Sequence, residues 1–320
     1  MLRRVRDFAV VAVLALVTTQ VAAQYPSKPL RLIVPFPAAG AADLAARVVA
    51  QPLSQALGQP VIVENRPGAD GAIAADVVIK AAPDGYTLFF GTNTALCAVP
   101  ALRKNPPYNP LTDFTPVSQI GKFGFFLFVH PSVPAQSVAE LLAYARANPG
   151  KLNSATGNST SILATAQLKL LEHLDMVEIP YKGDAPATSD LVAGRVQLMF
   201  ATPGTAVPFV KDGRLRALAT LLPTRSSLLP DVPTMVEAGL LQISIVPWGG
   251  LFGPAKMPKE VVDRLASAMA GVLAQPEVRE QLDRYAFEGR SSTPEELAAL
   301  LKEQLDAWRR TVREVGIAQD

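Results

Sequence analysis

The chain has 320 residues, about half of them apolar, with 30 Lys and Arg against 28 Asp and Glu and a single cysteine. A charge so near balance offers no field to recruit nucleic acid or an anionic membrane. One cysteine forms no internal disulfide, and a chain of this length buries an adequate core without one.

The amino terminus carries Arg3, Arg4 and Arg6, then an apolar run from Phe8 to Val17, then small residues ending at Val21-Ala22-Ala23. That three-part layout reads as a secretory signal cleaved after Ala23. The run is too short to cross a bilayer, whose core needs about 20 residues, so it reads as removable rather than as an anchor. Gln24 follows the cut where a lipoprotein would have cysteine, and Cys97 lies among Leu96, Ala98 and Val99 as a small buried hydrophobe. The expectation is a soluble exported chain with 27 basic and 27 acidic side chains. Its 297 residues exceed the usual size of one core and call for two lobes.

Short apolar strands alternate with helical stretches, the pattern of an α/β protein with largely parallel sheets. Leu30 to Pro35, Val61 to Asn65 and Tyr86 to Gly91 read as strands. Between the first two, Leu44, Val48, Val49, Leu53 and Leu57 recur at helical spacing, which predicts a helix from Asp43 to Leu57 that is stopped by Gly58 and kinked at Pro52. Ser137 and Glu140 predict a capping box for a helix ending before Pro149-Gly150. Val177 to Pro180, Val196 to Phe200 and Leu215 to Thr220 read as further strands, with a short helix from Ala185 to Ala193 closed by Gly194. Lys259 to Leu273 is amphipathic, and Thr293, Pro294 and Glu296 open a last helix that runs to about Val315.

Phe123 to Val129 and Ile243 to Phe252 are long, aromatic and not followed at once by a helix. They are expected to carry the chain between lobes, one lobe formed by 24–124 with 248–320 and the other by 125–247. Two crossings make a hinge that permits closure on a ligand.

Three turns enter helices through small residues at the ends of strands, where open α/β sheets bind ligands. Pro35 to Asp43 contains Ala38, Ala39, Gly40, Ala41 and Ala42. Such residues let a backbone approach an anion and leave helix amides free to donate. The same pattern also serves a tight turn in which Asp43 stabilises the helix dipole. Asn153 to Ser161 adds hydroxyls, or is an ordinary capping segment. In Ile179 to Ala187, Tyr181 is placed to cover a ligand and Lys182 to supply a charge at its edge, unless Lys182 is simply a solvated surface residue.

Gly157-Asn158-Ser159-Thr160-Ser161 lacks the last glycine of a nucleophile elbow, and the chain's two histidines, His130 and His173, leave no ordered serine, acid and base. They supply no metal cluster, and no nucleotide loop is present. An enzyme on this scaffold would have only Asp43, Lys182 and Asp184 to work with.

The runs VPFPAAGAAD at 34–43, VENRPGADG at 63–71, PDGYTL at 83–88, PYKGDAPA at 180–187 and GRVQLMF at 194–200 resemble the Bug family of periplasmic receptors for tripartite tricarboxylate transporters. The resemblance spans the mature chain. It implies a type II periplasmic binding protein fold with a cleft between two α/β lobes, no cofactor, no catalysis, and a small carboxylate held by loop amides. By position it implies contacts from Phe36, Ala38, Ala39, Gly40 and Asp43 in the first lobe, and from Ser154, Thr156, Gly157, Asn158 and Ser159 in the second. It adds the Tyr181-Lys182-Gly183 turn and the polar pair Thr92 and Asn93. A monomer delivering its ligand to membrane transporter subunits is the implied role, with a sensor for a membrane kinase as the alternative. Ala39 replaces a glycine common in the family, and Ile162 and Leu163 stand where a histidine is frequent, so the resemblance carries over no ligand identity.

Overall fold

A computed structural model describes residues 25–240 and 247–317. The signal segment and its cleavage site lie outside the described residues.

The first sheet is built from β1 (Leu30–Val34), β2 (Val61–Asn65), β3 (Thr87–Thr92), β4 (Phe114–Phe123), β10 (Trp248–Pro254) and β11 (Phe287–Gly289), in the order β11-β4-β10-β3-β1-β2. The second contains β5 (Phe126–Val129), β6 (Asn153–Thr156), β7 (Val177–Pro180), β8 (Leu198–Ala201) and β9 (Arg216–Thr220), in the order β7-β6-β8-β5-β9. Helices cover both faces of each sheet, so every sheet has a core on either side.

The helices in order are α1 (Ala41–Leu57), α2 (Ala72–Ile79), α3 (Val99–Leu102), α4 (Val138–Ala147), α5 (Ser159–Leu171), α6 (Asp184–Val192), α7 (Pro203–Lys211), α8 (Lys259–Ala274), α9 (Pro276–Asp283) and α10 (Pro294–Glu314). Pro52 does not end α1, whose stop is Gly58 at φ 71°, a left-handed conformation that glycine adopts without a steric penalty. At α10 the capping box closes in both directions, Glu296 N donating to Thr293 Oγ1 (3.1 Å) and Thr293 N to the Glu296 carboxylate (2.8 Å). At α4 only half of it forms. Glu140 N donates to Ser137 Oγ (3.2 Å), but the Glu140 carboxylate reaches one residue further back and accepts from Gln136 N (2.7 Å).

The sheets are mixed rather than largely parallel. β1 runs parallel to β2 and β3, and β6 parallel to β7 and β8, while β5 and β10 are antiparallel to both of their neighbours. β5 and β10 are the strands by which the chain enters each sheet after leaving the other. Phe126 pairs with Ala201 at the carboxyl end of β8, and Gly249 with Thr92 at the carboxyl end of β3. Both crossings therefore begin where the parallel strands end, which is where a ligand cleft forms in open α/β sheets.

The second lobe is also docked on the first through α5. Leu163 is part of a core cluster with Phe89, Trp248 and Trp308. Asn93 Nδ2 donates to Thr160 Oγ1 (3.0 Å), and Gln167 Nε2 to Thr311 Oγ1 (2.9 Å).

Candidate ligand-binding site

A cavity of about 380 Å³ opens between the two sheets at these strand ends, within the usual range for a site that encloses a small molecule. Its first-lobe wall is the turn leading into α1. That turn is shaped by Asp43, which is 1% exposed and points away from the cavity. The Asp43 carboxylate accepts from Ala39 N (2.8 Å), Asn65 Nδ2 (2.8 Å) and Arg47 Nε (3.0 Å). Burial alone would raise its pKa, but the bonds from Arg47, Asn65 and Ala39 outweigh it and hold the carboxyl below the ordinary range. Asn65 Nδ2 also ties down the Phe36 carbonyl (3.1 Å).

This arrangement holds Ala39 at φ 64°, and it leaves α1 with Gly40 as an N-cap that offers no side-chain bond. The amides of Ala41 and Ala42 find no acceptor among the described residues, and both residues line the cavity. The first amides of a 17-residue helix therefore lie free at the cavity, with Asp43 the acid in its first turn.

The second-lobe wall differs. Asn158 caps α5 by accepting from Ser161 N (3.0 Å), and Ser161 Oγ accepts from Gly157 N (2.9 Å) and Asn158 N (3.0 Å). Those loop amides are already used within the loop. Gly157 packs so closely that a Cβ there would lie 2.7 Å from Asp184 Oδ1 and 2.8 Å from the Gly183 carbonyl. Asp184, at the start of α6, accepts from Asn158 Nδ2 (2.7 Å), Thr202 Oγ1 (3.0 Å) and Thr202 N (3.3 Å). Burial pushes its carboxyl up, and the three donors only partly offset that.

Of the residues singled out from sequence, Phe36, Gly40, Thr92, Asn93, Gly157, Asn158 and Gly183 line the cavity. Ala39 lines an adjoining chamber instead, while Ala38 lines neither. Ser154 and Thr156, expected in a turn, are strand residues of β6; Ser154 bonds to Thr165 Oγ1 (3.2 Å), and the Thr156 carbonyl accepts from Tyr181 N (2.8 Å). Ser159 is buried and does not line the cavity, but it donates to Asp70 Oδ2 (3.4 Å). Tyr181 packs against the second sheet's core instead of lining the cavity, its hydroxyl donating to Asp190 Oδ2 (2.8 Å), and Lys182 is exposed and does not line it either.

Sequence reasoning missed Asp70, Thr202, Phe123, Phe125 and Pro247, all of which line it. Thr202 was within reach, since Ala201-Thr202-Pro203-Gly204 is a fourth small-residue turn from a strand end into a helix. Phe123, Phe125 and Pro247 flank the crossings, and Phe123 is fixed by an edge-on contact with Phe287 at 4.7 Å between ring centres.

Residues 45–317 match the profile of the tripartite tricarboxylate transporter family receptor. The chain belongs to that family. It is 34% identical over 298 residues to BugT of Bordetella pertussis, a match covering 91% of this chain and 90% of BugT. A Rhodopseudomonas palustris protein solved with adipate superposes with a TM-score of 0.80 at 32% identity, covering 92% of this chain and 99% of its own. MatC of the same organism, solved with malate, gives 0.75 at 32% identity over 90% of this chain and all of its own. The periplasmic binding protein BugD gives 0.78 at 32% identity, covering 92% of this chain and all of BugD. This receptor therefore shares its two-lobed α/β architecture with periplasmic binding proteins of the Bug type. Among its described residues no helix is long and apolar enough to cross a membrane.

Proposed function

We propose that this receptor captures a small organic carboxylate between its lobes and delivers it to a tripartite tricarboxylate-type transporter. The observation that carries the reading is the uncapped amino end of α1, whose Ala41 and Ala42 amides lie at the cavity with nothing among the described residues to accept from them. An ionised carboxylate is the compact acceptor that such a helix end stabilises most. Relatives solved with adipate and malate support the ligand class. The lobes are proposed as 24–124 with 248–320 and 125–247, and the ligand contacts as those predicted residues that line the cavity, with Thr202 added. Binding without transformation is part of the same reading, and the receptor family to which the chain belongs supports it.

Calorimetry on the mature protein against monocarboxylates, dicarboxylates and amino acids tests this. At least one carboxylate is expected to bind with micromolar or tighter affinity. Failure of all of them beside tight binding of a neutral or purely cationic solute would end the reading. Intact mass of the exported protein checks the start at Gln24, and loss of ligand uptake on deletion checks the delivery step.

A further inference from the structure

The charged groups around the cavity are unbalanced. Two carboxylates line it, Asp70 and Asp184, and among the described residues no Lys, Arg or His does. Residues 241–246, which fall outside the description, carry no charged side chain either. The two acids flank the first turn of α5: Asp184 meets Asn158 Nδ2 at 2.7 Å and Asp70 meets Ser159 Oγ at 3.4 Å.

A carboxylate has about four acceptor positions. Asp184 fills three of its positions with Asn158 and the two Thr202 donors, while Asp70 receives only the long Ser159 bond. Four acceptor positions therefore remain free on the two acids. The α1 amides on the first-lobe wall present the opposite polarity, donors without an acceptor.

We infer that the ligand is an amino acid in the broad sense, a monocarboxylate that also bears an ammonium group, with its carboxylate on the α1 amides and its ammonium between Asp70 and Asp184. The inference rests on the carboxylate reading above and narrows it. An ammonium supplies three donors and one positive charge, which fits the open acceptor positions and offsets the two acids. A dicarboxylate in the same pose would place its second anion against two others, and like charges at such range repel. The adjoining chamber, which shares Gly40, Ala41, Phe123 and Thr202 with this one, has Arg284 in its lining, and there Arg284 already pairs with Glu280 at 3.3 Å.

Chain-matched probes test it: 4-aminobutyrate against succinate, 5-aminopentanoate against glutarate, 6-aminohexanoate against adipate, together with α-amino acids having uncharged side chains against their des-amino counterparts. Wild-type protein is expected to bind at least one amino member ten-fold or more tightly than its partner. Asp70→Asn and Asp184→Asn each narrow that ratio, and the double variant favours the dicarboxylate. Asp70 is exposed and at φ 55°, a conformation asparagine tolerates, so this variant folds even where Asp184→Asn perturbs α6. A dicarboxylate preferred in every pair, adipate held through Arg284 included, overturns the inference and leaves the receptor reading standing. An amino preference untouched by either substitution overturns it too. Binding of neither class removes the carboxylate reading itself.

Discussion

Replacing Asp43 by alanine tests whether the α1 turn is built by that side chain or merely sits beside it. The substitution strips an acceptor from Ala39 N, Asn65 Nδ2 and Arg47 Nε. Asn65 keeps its bond to the Phe36 carbonyl, and Arg47 is half-exposed, so neither is stranded. The exposed Arg47 pair contributes at most about 1 kcal/mol, and a carboxylate in a helix's first turn a further 0.3–1 kcal/mol or so. Ala39 loses its acceptor and with it the reason to stay at φ 64°, worth about 1 kcal/mol since its amide can partly rehydrate. The sum is about 1–3 kcal/mol, read as a lower urea midpoint at pH 7. Because the folded-state pKa of Asp43 is depressed, the wild-type advantage is present above the unfolded carboxyl value near 4 and fades as pH falls through the folded value. Carboxylate affinity should drop at least ten-fold as Gly40 and Ala41 lose their fixed positions. A loss under about 0.5 kcal/mol, or one equal at pH 3 and pH 7, would refute the reasoning.

Asp184→Asn should behave in the opposite sense. Its folded pKa is raised, so the ionised group destabilises the fold as pH climbs past the unfolded value, and the variant should melt higher at pH 7 with the gain shrinking in acid; a lower melting point at neutral pH contradicts this. Gly157→Ala drives a Cβ into the Gly183 backbone, and a cost of about 1–3 kcal/mol with weakened ligand binding is expected by denaturation and calorimetry. Tyr181→Phe removes only the bond to Asp190, so ligand affinity should stay within about two-fold; a larger loss would return Tyr181 to the site. Ser137→Ala should cost about 1 kcal/mol by removing the α4 cap while leaving binding intact.

What was legible in the sequence was what local chemistry determines. Gly58 behind Leu57 and Thr293-Pro294 before Glu296 mark helix ends through backbone freedom and capping, and both are where the sequence placed them. The strand Asn153–Thr156 was read as part of a turn because its residues are polar. Its place between β7 and β8 and the bond from Ser154 to Thr165 make polar residues acceptable in a sheet interior. The ten-residue strand Phe114–Phe123 contains Pro116 and Gly121, ordinarily arguments against a strand. It is secured by long-range pairing with β10, whose register shifts twice along the contact. The site followed the same division. Turns of small residues were visible, whereas Asp70 reaches the cavity only because residues 89 positions apart meet at Ser159, a contact no local pattern encodes.

The placement of β10 also sets a timetable for the chain. Every described strand of the second sheet lies between Phe126 and Thr220, so those strands are all present once residue 220 is made. The first sheet cannot join β4 to β3 until Trp248–Pro254 slides between them. Until then its amino-terminal strands wait with an open edge, and such a wait costs loop-closure entropy and slows folding. The amides of α1 belong to this late half, so a nascent chain completes its ligand cavity only after Trp248–Pro254 has arrived.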